Sequence, residues 1–115
     1  MTRRTIGLAL AVAALSTTAF AADKLRFWNE TAVTITELYL APAGTAKWSP
    51  NQCLNDPDKS VDSDERLDLS VPAGTYDVKL VDKGGRRCMV RNVEVKPGGK
   101  YAFALAEEDL KECTK

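Results

Sequence analysis

From Leu25 to the end of the chain, apolar residues come in short runs that alternate with polar ones, and no stretch of ten or more carries a helical stripe. This constrains the fold more than any other feature, because a side chain turned inward at every second position marks a strand with one buried face. Leu25 to Asn29 reads as a first strand, and Asn29-Glu30-Thr31 as a turn whose asparagine bonds its own backbone. Val33 to Leu40 is rich in β-branched and aromatic residues, with Val33, Ile35 and Tyr39 on one face; Glu37 shares that face, which calls for a bulge or an exposed strand end. Leu67, Leu69 and Val71 alternate over Arg66 to Val71, and Tyr76, Val78 and Leu80 point inward from Thr75 to Lys83. Gly84-Gly85 suits a tight hairpin into Arg86 to Lys96, where Val93 and Val95 face the core. Pro97-Gly98-Gly99 turns into a last strand, Lys100 to Ala106, which completes a meander of three strands. Its residues Tyr101, Phe103 and Leu105 oppose Ala102, Ala104 and Ala106. Glu107 to Cys113 adds a helical turn with acids at its N-terminal end. About six strands with no central helix define an all-β fold: a small antiparallel β-sandwich, immunoglobulin-like or transthyretin-like.

The segment before these strands has a different character. Arg3 and Arg4 form a positive start, Ile6 to Leu15 is apolar but too short to span a bilayer, and Ala19-Phe20-Ala21 is a small-x-small cleavage signal. Residues 1–21 therefore read as a signal peptide and residues 22–115 as one sandwich domain, with the periplasm as the expected location. Thr2 to Ile6 partly resembles a twin-arginine signal, so both export routes stay open. The chain has 16 basic and 16 acidic side chains, and removing Arg3 and Arg4 leaves 14 against 16. A balance so near neutral, outside the cytoplasm, argues against nucleic acid as a partner. No second apolar run approaches the roughly 20 residues of a membrane helix. The chain has no histidine, which removes the usual general base near neutral pH, the commonest transition-metal ligand and the imidazole of a nucleophile pair. The expectation is a protein that is not an enzyme and uses no organic cofactor.

Three cysteines in an oxidising compartment leave one unpaired. A Cys88–Cys113 bridge would pin the C-terminal tail to the return strand, with Cys53 left over as a buried thiol, a redox group or a link between two chains. Pairing of Cys53 with either of the others is the alternative connectivity. Phe27 to Thr31, Thr36 to Trp48, Tyr76 to Asp82 and the terminal Asp-Leu-Lys-Glu-Cys segment resemble a broad group of small exported proteobacterial β-sandwich proteins. The resemblance implies the sandwich, export and the late disulfide, and no enzyme activity.

Asn55 to Asp68 holds six carboxylates in fourteen residues: Asp56, Asp58, Asp62, Asp64, Glu65 and Asp68. Hard cations bind through several oxygens, and spaced aspartates on a loop can supply them. Asp56-Pro57-Asp58-Lys59 resembles the start of the metal loops of the lanmodulin type, which bind lanthanides in an EF-hand. Carried over, Asp56 and Asp58 match loop positions one and three, Ser60 position five and Asp64 position nine. Val61 stands where that loop has glycine, Leu67 where it has a bidentate glutamate, and no helix flanks it. Two functions follow. One is a periplasmic binding protein that takes calcium or a lanthanide on Asp56, Asp58, Asp62, Asp64 and Glu65, aided by an acid of the second cluster, Glu107, Glu108, Asp109 and Glu112. The other is a structural or protein-interaction module whose acidic loop is a solvated connector. A third class, a thiol enzyme built on Cys53, needs an activated thiolate. Lys83, Arg86, Arg87 and Arg91 form a basic hairpin that either holds an anion or protects a sheet edge, and Trp28 and Trp48 either form a ligand platform or anchor the core.

Overall fold

The computed structural model describes residues 24–115, so the expected signal peptide lies outside the described residues. The alternating pattern becomes seven strands: β1 (Leu25–Asn29), β2 (Ile35–Pro42), β3 (Arg66–Leu69), β4 (Gly74–Asp82), β5 (Arg87–Val95), β6 (Phe103–Leu105) and β7 (Glu112–Thr114). They form a three-stranded sheet, ordered β3-β1-β6, and a four-stranded sheet, ordered β2-β4-β5-β7. Phe27, Leu67, Phe103 and Leu105 from the first sheet meet Ile35, Leu38, Leu40, Val78 and Leu80 from the second in one core cluster. The all-β sandwich expected from the pattern is the fold.

Three local expectations change. The register between β2 and β4 shifts between Ile35 and Glu37, so the bulge expected near Glu37 inverts the parity beyond it. Leu38 and Leu40 are buried there, while Tyr39 turns out and donates its hydroxyl to Glu37. The last three strands are not a meander, and the sandwich is not wholly antiparallel: β6 leaves β5 and pairs in parallel with β1. Lys96 N donates to Ala102 O at the crossing, and Ala102 N to Arg26 O as β6 begins. The move sets the Phe103 ring 4.9 Å from that of Phe27, a burial that the far edge of β5 cannot offer. Finally, only Glu107–Asp109 of the expected helical turn is helical, as one 3-10 turn, after which the tail forms β7. Cys113 lies directly opposite Cys88 in that pairing and is bonded to it.

Two buried aspartates on β4 hold the hairpins. Asp82 takes the amides of Gly84 and Arg86 on one oxygen and the Arg86 guanidinium on the other. It closes a three-residue turn in which Gly85, at φ +90°, occupies the left-handed position. Asp77 accepts from the amides of Gly44 and Asn92. Both carboxyls titrate below their ordinary value. For Asp77 the two amide bonds are the main cause; for Asp82 burial opposes ionisation but is outweighed by the Arg86 and Gly84 bonds. Depressed carboxylates stabilise the fold above the unfolded value of about 3.9, and that stabilisation disappears as pH falls through the folded value. The melting temperature is accordingly expected to drop below about pH 4, with a shallower slope in Asp77→Asn; an unchanged slope in that variant would remove Asp77 from the account.

Candidate functional site

The acidic loop is bound to the sandwich as the cover of its outermost strand. β2 is an edge, and its unpaired backbone is met by side chains: Asn51 Oδ1 accepts from Leu38 N, and Ser49 exchanges bonds with Leu40 through its hydroxyl and its amide. Ile35 and Val61 pair as a single bridge further along. Gln52, Cys53 and Val61 are buried beneath the loop, and Gln52 holds Ser70 through its amide and hydroxyl. A covered edge cannot recruit a foreign strand, which gives the loop a structural task.

Four of the five expected metal ligands already accept hydrogen bonds in the fold. Asp56 accepts from Asp58 N, Glu65 from Asp62 N, Asp62 from the Thr34 hydroxyl and Asp64 from the Trp28 indole N–H at 3.0 Å. Asp58 projects into solvent. Asp62 and Glu65 belong to one turn, whereas Asp68 leaves the group to pair with Lys24 and Arg26. The second cluster is divided too: Glu107 binds Arg86, Asp109 caps Ala106 N and Glu112 binds Arg91. Among the described residues no three acids or cysteines gather as a metal ion requires.

Cys53 is fully buried, with its thiol directed at Ile35 O. Burial, with Asp56 and Glu37 nearby, pushes that thiol up to about 12, so it stays protonated near neutral pH and lacks the thiolate that nucleophilic or redox chemistry uses. Linking two chains through it would require the loop to open. The basic hairpin is partly engaged: Arg86 bonds Asp82 and Glu107, and Arg91 bonds Glu112, while among the described residues Lys83 and Arg87 form no salt bridge. Trp48 stacks under the Lys79 ammonium, 4.4 Å away, on the outside of the four-stranded sheet. Trp28 lies on the outside of the other sheet, so the two tryptophans are not one platform.

That other face concentrates unspent charge. Arg26 and Trp28 project outward from β1, opposite Asp68 and Arg66 of β3. The Arg66 guanidinium sits 4.5 Å over the Trp28 ring, and Tyr101 flanks the ring at 5.1 Å. Lys24, Arg26, Arg66, Gly99 and Lys100 line a concavity of about 400 Å³. Asp68 neutralises one charge there, at 3.3 Å from Lys24 and 3.5 Å from Arg26. Among the described residues neither Arg66 nor Lys100 forms a salt bridge. None of these cations stood out in the sequence. They are scattered from position 24 to 100 and meet only because β3 lies beside β1 and the turn before β6 closes over the same end. The legible trace was strand parity, which puts Arg26 with Trp28 and Arg66 with Asp68.

A second concavity, about 470 Å³, opens where β5 and β6 part, between Val90, Val93, Ala104 and Leu105 and under Lys111 and Glu112. β7 covers β5 only from Arg87 to Met89, leaving the strand's outer edge unpaired beyond. No family model, curated protein or solved structure matches this chain.

Proposed function

We propose that this chain is a non-enzymatic exported binding protein whose ligand surface is the outer face of the three-stranded sheet, with the acidic loop serving the fold as an edge cover. One observation carries the reading. A chain whose formal charge is about minus two once Arg3 and Arg4 are removed gathers Lys24, Arg26, Arg66 and Lys100 around a single carboxylate. A face of one sign draws ligands of the other, whatever the net charge. The absence of histidine and the protonated, buried Cys53 support the non-enzymatic part.

Retention on an immobilised polyanion such as heparin tests it. At low salt the protein is expected to bind despite its net negative charge and to elute with salt, while Arg26→Gln/Arg66→Gln passes through unretained. Flow-through of the unaltered protein at low salt would end the reading.

The hard-cation reading has its own test, since Trp28 sits hydrogen-bonded to Asp64 and would sensitise terbium bound there. Because four of the five carboxylates already accept hydrogen bonds in the fold and no three acids converge among the described residues, emission is expected to rise only near millimolar terbium, a range typical of weak oxygen sites. Saturation at micromolar metal, lost in Asp56→Asn/Asp58→Asn, would reinstate a metal site. The interaction-module reading rests on the open edge of β5, where an extended partner segment could add as a strand.

A further inference from the structure

We propose that the concavity formed by Lys24, Arg26, Arg66, Gly99 and Lys100 binds a phosphate group, carried as a phosphomonoester or diphosphate. The inference rests on the anion-binding reading above and names its ligand. Charge comes first. Four cations against the one carboxylate of Asp68 leave an excess of three positive charges at the concavity. A monocarboxylate would neutralise one of these, whereas a phosphomonoester brings roughly −1.5 to −2 at neutral pH on three acceptor oxygens.

Donor geometry comes next. Arg26 meets Asp68 through Nε, which leaves its terminal nitrogens free. Arg66 is held by stacking on Trp28, so its planar fork is oriented while its N–H donors stay unspent. Such a fork matches two phosphate oxygens at once.

The rim supplies a third group of donors. Among the described residues the amides of Gly98, Gly99 and Lys100 donate to no protein acceptor. Gly98 sits at φ +91°, and a Cβ at Gly99 would come 3.2 Å from Tyr101 O, so the tight turn that carries these amides is suited to glycine at both positions. Successive free amides in a tight turn are anion donors. Asp68 then acts as an internal competitor: it occupies Lys24 and Arg26 until a better anion displaces it.

Calorimetric titration of the disulfide-bonded, exported protein with pyrophosphate at low ionic strength tests the assignment, with the dicarboxylate glutarate as comparison. Pyrophosphate is expected to saturate one site at least about tenfold more tightly than glutarate, and each of Arg26→Gln and Lys100→Gln to weaken it about tenfold, the size of one lost charged hydrogen bond. Asp68→Asn should tighten binding, a gain that loss of a merely structural contact would not produce. Arg87→Gln, on the opposite sheet, should leave it unchanged. Melting curves confirm that each variant folds. Co-sedimentation with phosphatidylcholine vesicles containing phosphatidic acid, reversed by pyrophosphate, would identify a lipid headgroup as the source; pyrophosphate binding without co-sedimentation would identify a soluble ester. Equal affinity for glutarate would overturn the phosphate assignment and leave the anion surface standing. Pyrophosphate binding indifferent to Arg26→Gln and Lys100→Gln would remove the site, and failure of the protein to be retained on heparin as well would remove both.

Discussion

Replacing Asn29 by leucine is expected to cost about 3–5 kcal/mol, a large share of the stability of a domain this size. Asn29 is fully buried at the end of β1. Its Nδ2 donates to Val33 O at 2.8 Å and Val61 O at 3.0 Å, and its Oδ1 accepts from Thr31 N at 2.9 Å and the Thr31 hydroxyl at 2.6 Å. Leucine keeps the branching but is bulkier, so it crowds the site while Thr31 N loses its acceptor and the Val33 and Val61 carbonyls each lose the Nδ2 donor, keeping only the Thr31 hydroxyl and Ile35 N. The backbone of Asn29 also bonds Glu65 O and Asp64 N. The residue therefore fastens the return of the acidic loop beneath Trp28 and Arg66, and the variant should lose the anion surface along with its stability. Asn29→Asp keeps the acceptor but turns a carboxylate oxygen toward two carbonyls, and should be nearly as damaging at neutral pH. Urea unfolding followed by tryptophan fluorescence measures both; a loss below about 1 kcal/mol for leucine would mean that the network is dispensable.

Removing the disulfide in Cys88→Ala/Cys113→Ala should cost about 3.5 kcal/mol, from the loop closed by a separation of 25 residues. In a domain of this length that lowers the melting temperature by on the order of 15–25 °C. The consequence is also local. β7 pairs with only three residues of β5, too few to hold a strand at the end of a chain unaided. Its release would free Glu112 from Arg91 and uncover the partly buried Leu110 that packs on the core. Hydrogen exchange should show fast amides from Leu110 onward in the variant even where the rest of the fold persists. Protection there equal to the parent would mean that pairing alone holds the tail.

What a sequence conveys is whatever depends on neighbours along the chain. Alternation marked Tyr76, Val78 and Leu80 as core and they are buried; glycine and proline placed the turns; the position of Cys88 and Cys113 near the two ends of the last excursion favoured the bridge that the structure contains. The same locality is what draws attention to the acidic loop. Six carboxylates in fourteen residues look like a site because they lie close together along the chain, yet Asp56 and Glu65 take amides of their own loop, Asp62, Asp64 and Asp68 take donors from segments distant in sequence, and Asp58 stays in solvent. The bulge in β2 was foreseeable from Glu37, but its parity change was not, since that is set by which face Val61 and Asn51 cover.

Strand order belongs wholly to the tertiary structure. Nothing along the chain places β6 beside β1 in parallel instead of beside β5; the gain is Phe103 against Phe27 across the sheet. From that one choice follow the cleft behind β5 and the arrival of Lys100 beside Lys24, Arg26 and Arg66, which the pairing of β3 with β1 brings together. By itself the sequence determined an all-β sandwich and the core faces of its regular strands, and made Cys88–Cys113 one of the available bridges, because periodicity and cysteine placement act at short range. Only the packing of distant strands decided where charge accumulates, because that depends on which faces become neighbours once the core is closed.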